Sequence, residues 1–100
     1  MLGYRRVMVD QDRVRRLARL LGSAGRAHHA EVGGPNPGWP EWYADHVHAD
    51  IADHIGFEPT IDQVAGWLRE ADEHHRLEAP DESWPQFYAR YILESHPEHP

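Results

Sequence analysis

The chain has 100 residues, ten Arg, no Lys, no cysteine and a net charge of −7. That length makes one small domain with a single core, and the missing cysteine excludes a disulfide scaffold, thiolate zinc sites and Cys nucleophiles, leaving His and carboxylate as the metal ligands on offer. No apolar run approaches the roughly 20 residues of a membrane span. No apolar core of signal-peptide length follows Met1-Leu2-Gly3-Tyr4-Arg5-Arg6, so the expected location is the cytosol. The Arg-only basic set, with abundant Ala, Asp, Gly and Pro, points to a GC-rich bacterial genome.

Residues 1–9 form a short apolar-flecked lead, expected as an extended arm or a frayed end. Asp10 then offers an N-cap, and Val14, Leu17, Ala18, Leu21 and Ala24 recur at helical spacing, with His28 continuing the stripe. The first helix is predicted over about residues 11–31. Gly22 and Gly25 each weaken it by roughly 1 kcal/mol relative to Ala, which predicts a kink or a close helix contact near Ser23. Charge is concentrated here: residues 1–26 hold seven Arg against two Asp, a balance of +5. Residues 27–100 hold three Arg against fifteen acids, a balance of −12. A basic arm for nucleic acid is one reading, but a −12 body repels a phosphate backbone, so the Arg face is expected to be solvated or to lie against acidic surface of this chain or a partner.

Gly33-Gly34-Pro35-Asn36-Pro37-Gly38 ends that helix and reverses the chain. The second helix starts at Gly38 or Trp39, because Pro40 is tolerated only in a first turn, and Glu41 stands where an N3 carboxylate meets free backbone N–H groups. Trp42 or Tyr43, then Val47, Ile51 and Ile55, make its buried face, and Gly56 stops it. Thr60-Ile61-Asp62-Gln63 reads as a capping box for a third helix with the stripe Val64, Trp67, Leu68, Ala71 and then His74 or His75. Ser83-Trp84-Pro85-Gln86 reads as a second capping box, opening a fourth helix with Phe87, Tyr88, Tyr91 and Ile92 inward. The tail after Ser95 is expected to fray.

Trp39-Pro40-Glu41-Trp42-Tyr43-Ala44-Asp45-His46-Val47 returns as Trp84-Pro85-Gln86-Phe87-Tyr88-Ala89-Arg90-Tyr91-Ile92. In each half an aliphatic stripe runs into a His pair (His28-His29, His74-His75) and a Pro-containing turn leads to Trp-Pro, so the chain is an internal duplication. Two helical hairpins of one design bury their stripes against each other. The expected fold is therefore all-α: residues 1–100 as one helical domain of four helices, two duplicated helical hairpins (10–55 and 60–95) related by pseudo-twofold symmetry.

Ala27-His28 followed by Trp39-Pro40-Glu41-Trp42-Tyr43-Ala44, with a looser copy at His74-His75 and Trp84 to Ala89, resembles a small helical module of actinobacterial proteins. That module carries Ala-His, a turn with acidic or Asn residues, and Asp-Trp-Pro-x-Trp-Tyr-Ala, and it occurs on the C-terminal side of glyoxalase-fold proteins and as free-standing small proteins. The chain departs from it at Gly38, where the module has Asp, and at Phe87. The resemblance implies a bacterial origin and a helical fold, and carries no activity.

Three constellations bear on function. One His of each pair ends an apolar stripe beside the Trp and Tyr residues, so His28, His74 and His75 are candidate ligand-site residues, against the alternative that they cap helix ends. Trp39, Trp42, Tyr43, Trp84 and Tyr88 supply aromatic surface for a ligand or peptide groove, against the alternative of core packing. His46, Asp50 and His54, with Asp53, form a polar stripe on the second helix that offers a metal site, against the commoner alternative of a solvated polar face; its partners in the second copy are Tyr91 at His46 and Ser95 at Asp50, so no symmetric two-metal site is encoded. No glycine-rich phosphate loop, nucleophile elbow or Ser/His/Asp arrangement stands out, and Ser occurs only at 23, 83 and 95, which ranks hydrolase chemistry last. The expected function is a binding or accessory module that contacts a protein partner, a second copy or a small molecule. The alternative is a His/carboxylate metal protein with enzymatic activity. The sequence names no cofactor, and it disfavours nucleic acid and membrane as partners.

Overall fold

In a computed structural model, which describes residues 10–34 and 36–95, the chain forms four helices: α1 (Gln11–Glu31), α2 (Trp39–Ile55), α3 (Ile61–Glu78) and α4 (Trp84–Ser95). The N-terminal lead and the tail beyond Ser95 lie outside those residues. Among the described residues no helix is long and apolar enough to cross a membrane.

Most ends form where local chemistry puts them. The Asp10 carboxylate accepts the Asp12 N–H at 3.0 Å and satisfies one of the free donors of the first turn of α1. α1 runs through Gly22 and Gly25 because Val14, Leu17, Leu21 and Ala24, all buried, hold it on the core. Pro40 sits within the first turn of α2, where its missing N–H leaves no helix bond unmade. Gly56 ends α2 at a φ of 87°, a left-handed conformation that glycine adopts without a Cβ clash, and donates to the Ala52 carbonyl. α3 has a full capping box, with Gln63 N–H donating to Thr60 Oγ1 at 3.1 Å and Thr60 N–H to Gln63 Oε1 at 2.8 Å.

One end contact differs from expectation. Ser83 makes no side-chain bond to α4; its carbonyl accepts the Phe87 N–H. The entry to α4 is held instead by tertiary bonds to the preceding residue: His75 Nε2 meets the Glu82 carbonyl at 2.7 Å, and Arg90 donates to both Glu82 carboxylate oxygens at 2.6 and 3.1 Å. The Glu41 carboxylate meets its own backbone N–H at the start of α2, as expected, and also pairs with Arg69 on α3. That arginine holds the Glu41 carboxyl below its usual range.

The helices close a circuit in which α1 packs on α2 and α4, and α3 packs on the same two. Their apolar stripes meet in one core, with Leu17, Leu21, Ile51, Leu68 and Ile92 among the fully buried side chains. The link from α1 to α2 takes seven residues, 32–38, and that from α3 to α4 takes five, 79–83. Hence α2 matches α4 at an offset of 45, while α1 matches α3 at 47. The counterpart of His28 is therefore His75, and His74 corresponds to Ala27.

Thr60→Ala is expected to lower stability by about 1 kcal/mol, whereas Ser83→Ala stays within about 0.5 kcal/mol, because only the first removes a cap. Denaturant melts of the two variants measure this; equal losses would contradict the assignment of the α4 entry to Glu82.

Candidate functional site

Trp39 and Tyr43 lie one turn apart on α2, and Trp84 and Tyr88 occupy the matching positions on α4. Residues at this spacing share a helix face, and where the hairpins meet, the four rings touch in a closed circuit. The pairs within a helix, Trp39–Tyr43 and Trp84–Tyr88, have centroids 5.8 and 5.1 Å apart. The crossed pairs, Trp39–Tyr88 and Tyr43–Trp84, are 6.4 and 5.7 Å apart. The pattern continues outward. His28 contacts Tyr43 and Trp42 at 5.2 and 5.0 Å, and His75 contacts Tyr88 and Phe87 at 5.9 and 5.2 Å. Exchanging the halves maps each of these contacts onto another of them.

Symmetry fails where chemistry is richest. The Tyr88 hydroxyl donates to Asp72 Oδ1 at 2.8 Å, and Arg76 lies 3.3 Å from Oδ2. Burial first, and then the Asp72 carboxylate, push the Tyr88 phenol far above its ordinary range, so it remains a neutral donor. The counterpart of Asp72 is Gly25. A Cβ there would stand 2.8 Å from Trp84 Cζ2, so the second-half indole occupies the room in which the first half would have held a carboxylate. The Tyr43 hydroxyl consequently has no such acceptor, and burial alone raises its pKa.

The circuit opens to solvent in a cleft of about 210 Å³ lined by His28, Trp39, Tyr43, Asp72, Trp84 and Tyr88. His28 Nε2 is buried and has no hydrogen-bond partner. Its counterpart is satisfied by Glu82. Among the described residues, His28 Nε2 is the one buried side-chain nitrogen or oxygen left unpaired.

Of the residues expected at a site, the fold thus gathers His28, Trp39, Tyr43, Trp84 and Tyr88. Trp42 stands behind them, between His28 and His46, on which it stacks at 5.0 Å. His75 lies across the circuit with its Nε2 engaged, and His74 points elsewhere, bonded to Glu78 at 2.6 Å and stacked on Tyr91. Asp72 and Gly25 were not expected; the signal that exposes them is the two-residue difference between the links. No three His, Asp or Glu side chains gather around a common point among the described residues. His46, Asp50 and His54 do not converge, because eight helical positions span about 12 Å of axis. His54 is instead half-buried, which with Arg16 holds its imidazole below the usual range, and its carbonyl accepts from Arg13 at 2.6 Å.

No family model, curated protein or solved structure matches this chain.

Gly25→Ala is expected to destabilise by about 1–3 kcal/mol, since the new methyl displaces the Trp84 ring. Gly66→Ala, on α3 with open space around it, is expected to gain about 0.5–1 kcal/mol. Thermal melts of both test the packing, and a gain at both positions would contradict it.

Proposed function

We propose that this protein is a small helical binding module whose working surface is the aromatic cleft between its two halves. The observation that carries this reading is His28 Nε2. Buried polar atoms are satisfied in the large majority of cases, and an unmet one costs roughly 1–3 kcal/mol. His28 also lines the cleft, so a ligand that enters it and turns the imidazole toward itself would supply the missing partner. The surroundings support small-molecule recognition: apolar ring surface supplies contact area, and Asp72 with His28 supplies a few convergent polar groups that orient the guest.

Binding is favoured over catalysis by the state of these groups. Tyr88 is locked as a neutral donor, and no nucleophile adjoins His28 in the cleft. The resemblance to a module that accompanies glyoxalase-fold proteins supports an accessory role. The basic face of α1 supports contacts within the chain over a nucleic-acid surface, since Arg13 bonds the His54 carbonyl and Arg15 pairs with Asp12. A bacterial, cytosolic setting completes the proposal.

The test is a small-molecule fragment screen read by protein-detected NMR. Hits are expected to move the indole N–H signals of Trp39 and Trp84 together with the His28 ring signals, and His28→Leu is expected to weaken them about tenfold, the loss of one buried hydrogen bond. Hits that gather elsewhere, or chain-wide broadening from self-association without any cleft hit, would contradict the small-ligand reading.

A further inference from the structure

We infer that the guest of the cleft is a small organic cation, an ammonium carrying methyl or other apolar substituents. The inference rests on the binding reading above and adds the charge and class of the ligand.

Around the circuit, Trp39–Tyr43, Tyr43–Trp84 and Trp84–Tyr88 meet at interplanar angles of 89°, 78° and 66°. The fourth pair, Trp39–Tyr88, is tilted at 38°, so the four rings meet edge to face or aslant rather than in a stack, and they line one open cleft. The face of an aromatic ring is the negative part of its quadrupole. Several faces around one space attract a cation without a directed hydrogen bond, and the attraction is greatest for Trp. Two of the four walls are Trp. An alkylated ammonium suits such a space best because its charge is spread over apolar groups that shed water at little cost.

The charges agree. Asp72 is the one charged carboxylate among the residues lining the cleft, and neither Arg nor Lys lines it. Its oxygens already take the Tyr88 hydroxyl and pair with Arg76 at 3.3 Å, an exposed ion pair that solvent screens, since the Arg76 side chain is 69% exposed and does not line the cleft. A carboxylate has about four lone-pair sites, so accepting capacity remains. An anion here would meet both the carboxylate and the ring faces. The chain as a whole, at −7, draws cations toward it. With a turn of its ring toward the cleft, His28 Nε2 accepts a hydrogen bond from a hydroxyl or N–H on the substituent.

The broken symmetry sets the stoichiometry. Gly25 stands where a second Asp72 would be, and the Trp84 ring fills that room, so the duplicated fold holds one charged wall and takes one guest per chain.

The experiment titrates choline and its neutral isostere, 3,3-dimethylbutan-1-ol, into the full chain, following Trp fluorescence and the ligand methyl NMR signals. Choline is expected to bind with one site per chain, about tenfold or more tighter than the alcohol, with its methyl signals moved upfield by the rings. Asp72→Asn is expected to cost about tenfold, because it removes the charge while its amide oxygen can still accept from Tyr88, and Tyr88→Phe less, because it removes that hydrogen bond while keeping charge and ring. Circular dichroism checks that both variants remain helical. Equal binding of the alcohol overturns the cation assignment and leaves the binding-module reading standing. A loss in Asp72→Asn no greater than in Tyr88→Phe also overturns it, since charge would then play no part. Failure of choline to bind, while neutral or anionic fragments occupy the cleft, overturns it outright; failure of every fragment overturns the binding-module reading as well.

Discussion

Trp84 reaches from the second hairpin into a gap in α1 that exists only because residue 25 has no side chain. Its Cζ2 atom lies where a Cβ would approach to 2.8 Å. This insertion fixes how the hairpins meet. With the Trp84 ring seated there, Tyr43 packs on it from α2, Tyr88 from its own helix, and Trp39 completes the circuit against Tyr88. Each aromatic pair is worth about 0.5–1.5 kcal/mol beyond the area it buries. The crossed pairs are the ones that hold one half to the other. Aliphatic burial below them, from Leu17, Leu21, Ile51, Leu68 and Ile92, supplies most of the driving force but little direction, because close packing of aliphatic chains tolerates many arrangements.

A duplicated hairpin would ordinarily give two equal half-sites. Here one position breaks the equivalence. Asp72 bonds Tyr88, while Gly25 makes room for Trp84 and leaves Tyr43 without the matching partner. The His residues follow the same division, His75 being engaged by Glu82 and His28 left open. One half has become a buttress, tied by Glu82 to His75 and Arg90. The other half leaves His28 Nε2 unpaired beside the cleft, which Asp72 of the buttress half also lines. Fold and cleft thus rest on the same two paired hairpins, whose matching positions differ at a few residues.

Much of the fold was legible in the sequence because its signals are local. The Thr60 cap with Gln63, the stop at Gly56, Pro40 in a first turn and the repeated Trp-Pro segments act within a few residues of themselves. The aromatic members of the site were legible through the repeat. What could not be read was tertiary. Ser83 has the form of a cap, yet Glu82 carries the entry to α4 through partners seven and eight residues away. His74 and His75 are indistinguishable by spacing until the two-residue difference between the links sets the register. Asp72 looks like one more exposed helix carboxylate. Its role depends on Tyr88, sixteen residues on, and on what its counterpart Gly25 lacks. The stripe of His46, Asp50 and His54 shows the opposite error, in which residues on one face of a helix are too far apart along the axis to act together.

The central claim is that the crossed Trp–Tyr contacts which join the halves also form the walls of the ligand cleft. A NOESY spectrum of the full chain, recorded without and then with choline, tests it most directly. The account predicts ring-to-ring cross-peaks for Trp39 with Tyr88 and for Trp84 with Tyr43 in the free protein, and, on addition of choline, cross-peaks from its methyl groups to those same four rings. Absence of the crossed ring contacts, or methyl contacts confined to another surface such as that around His74 and Tyr91, would contradict it.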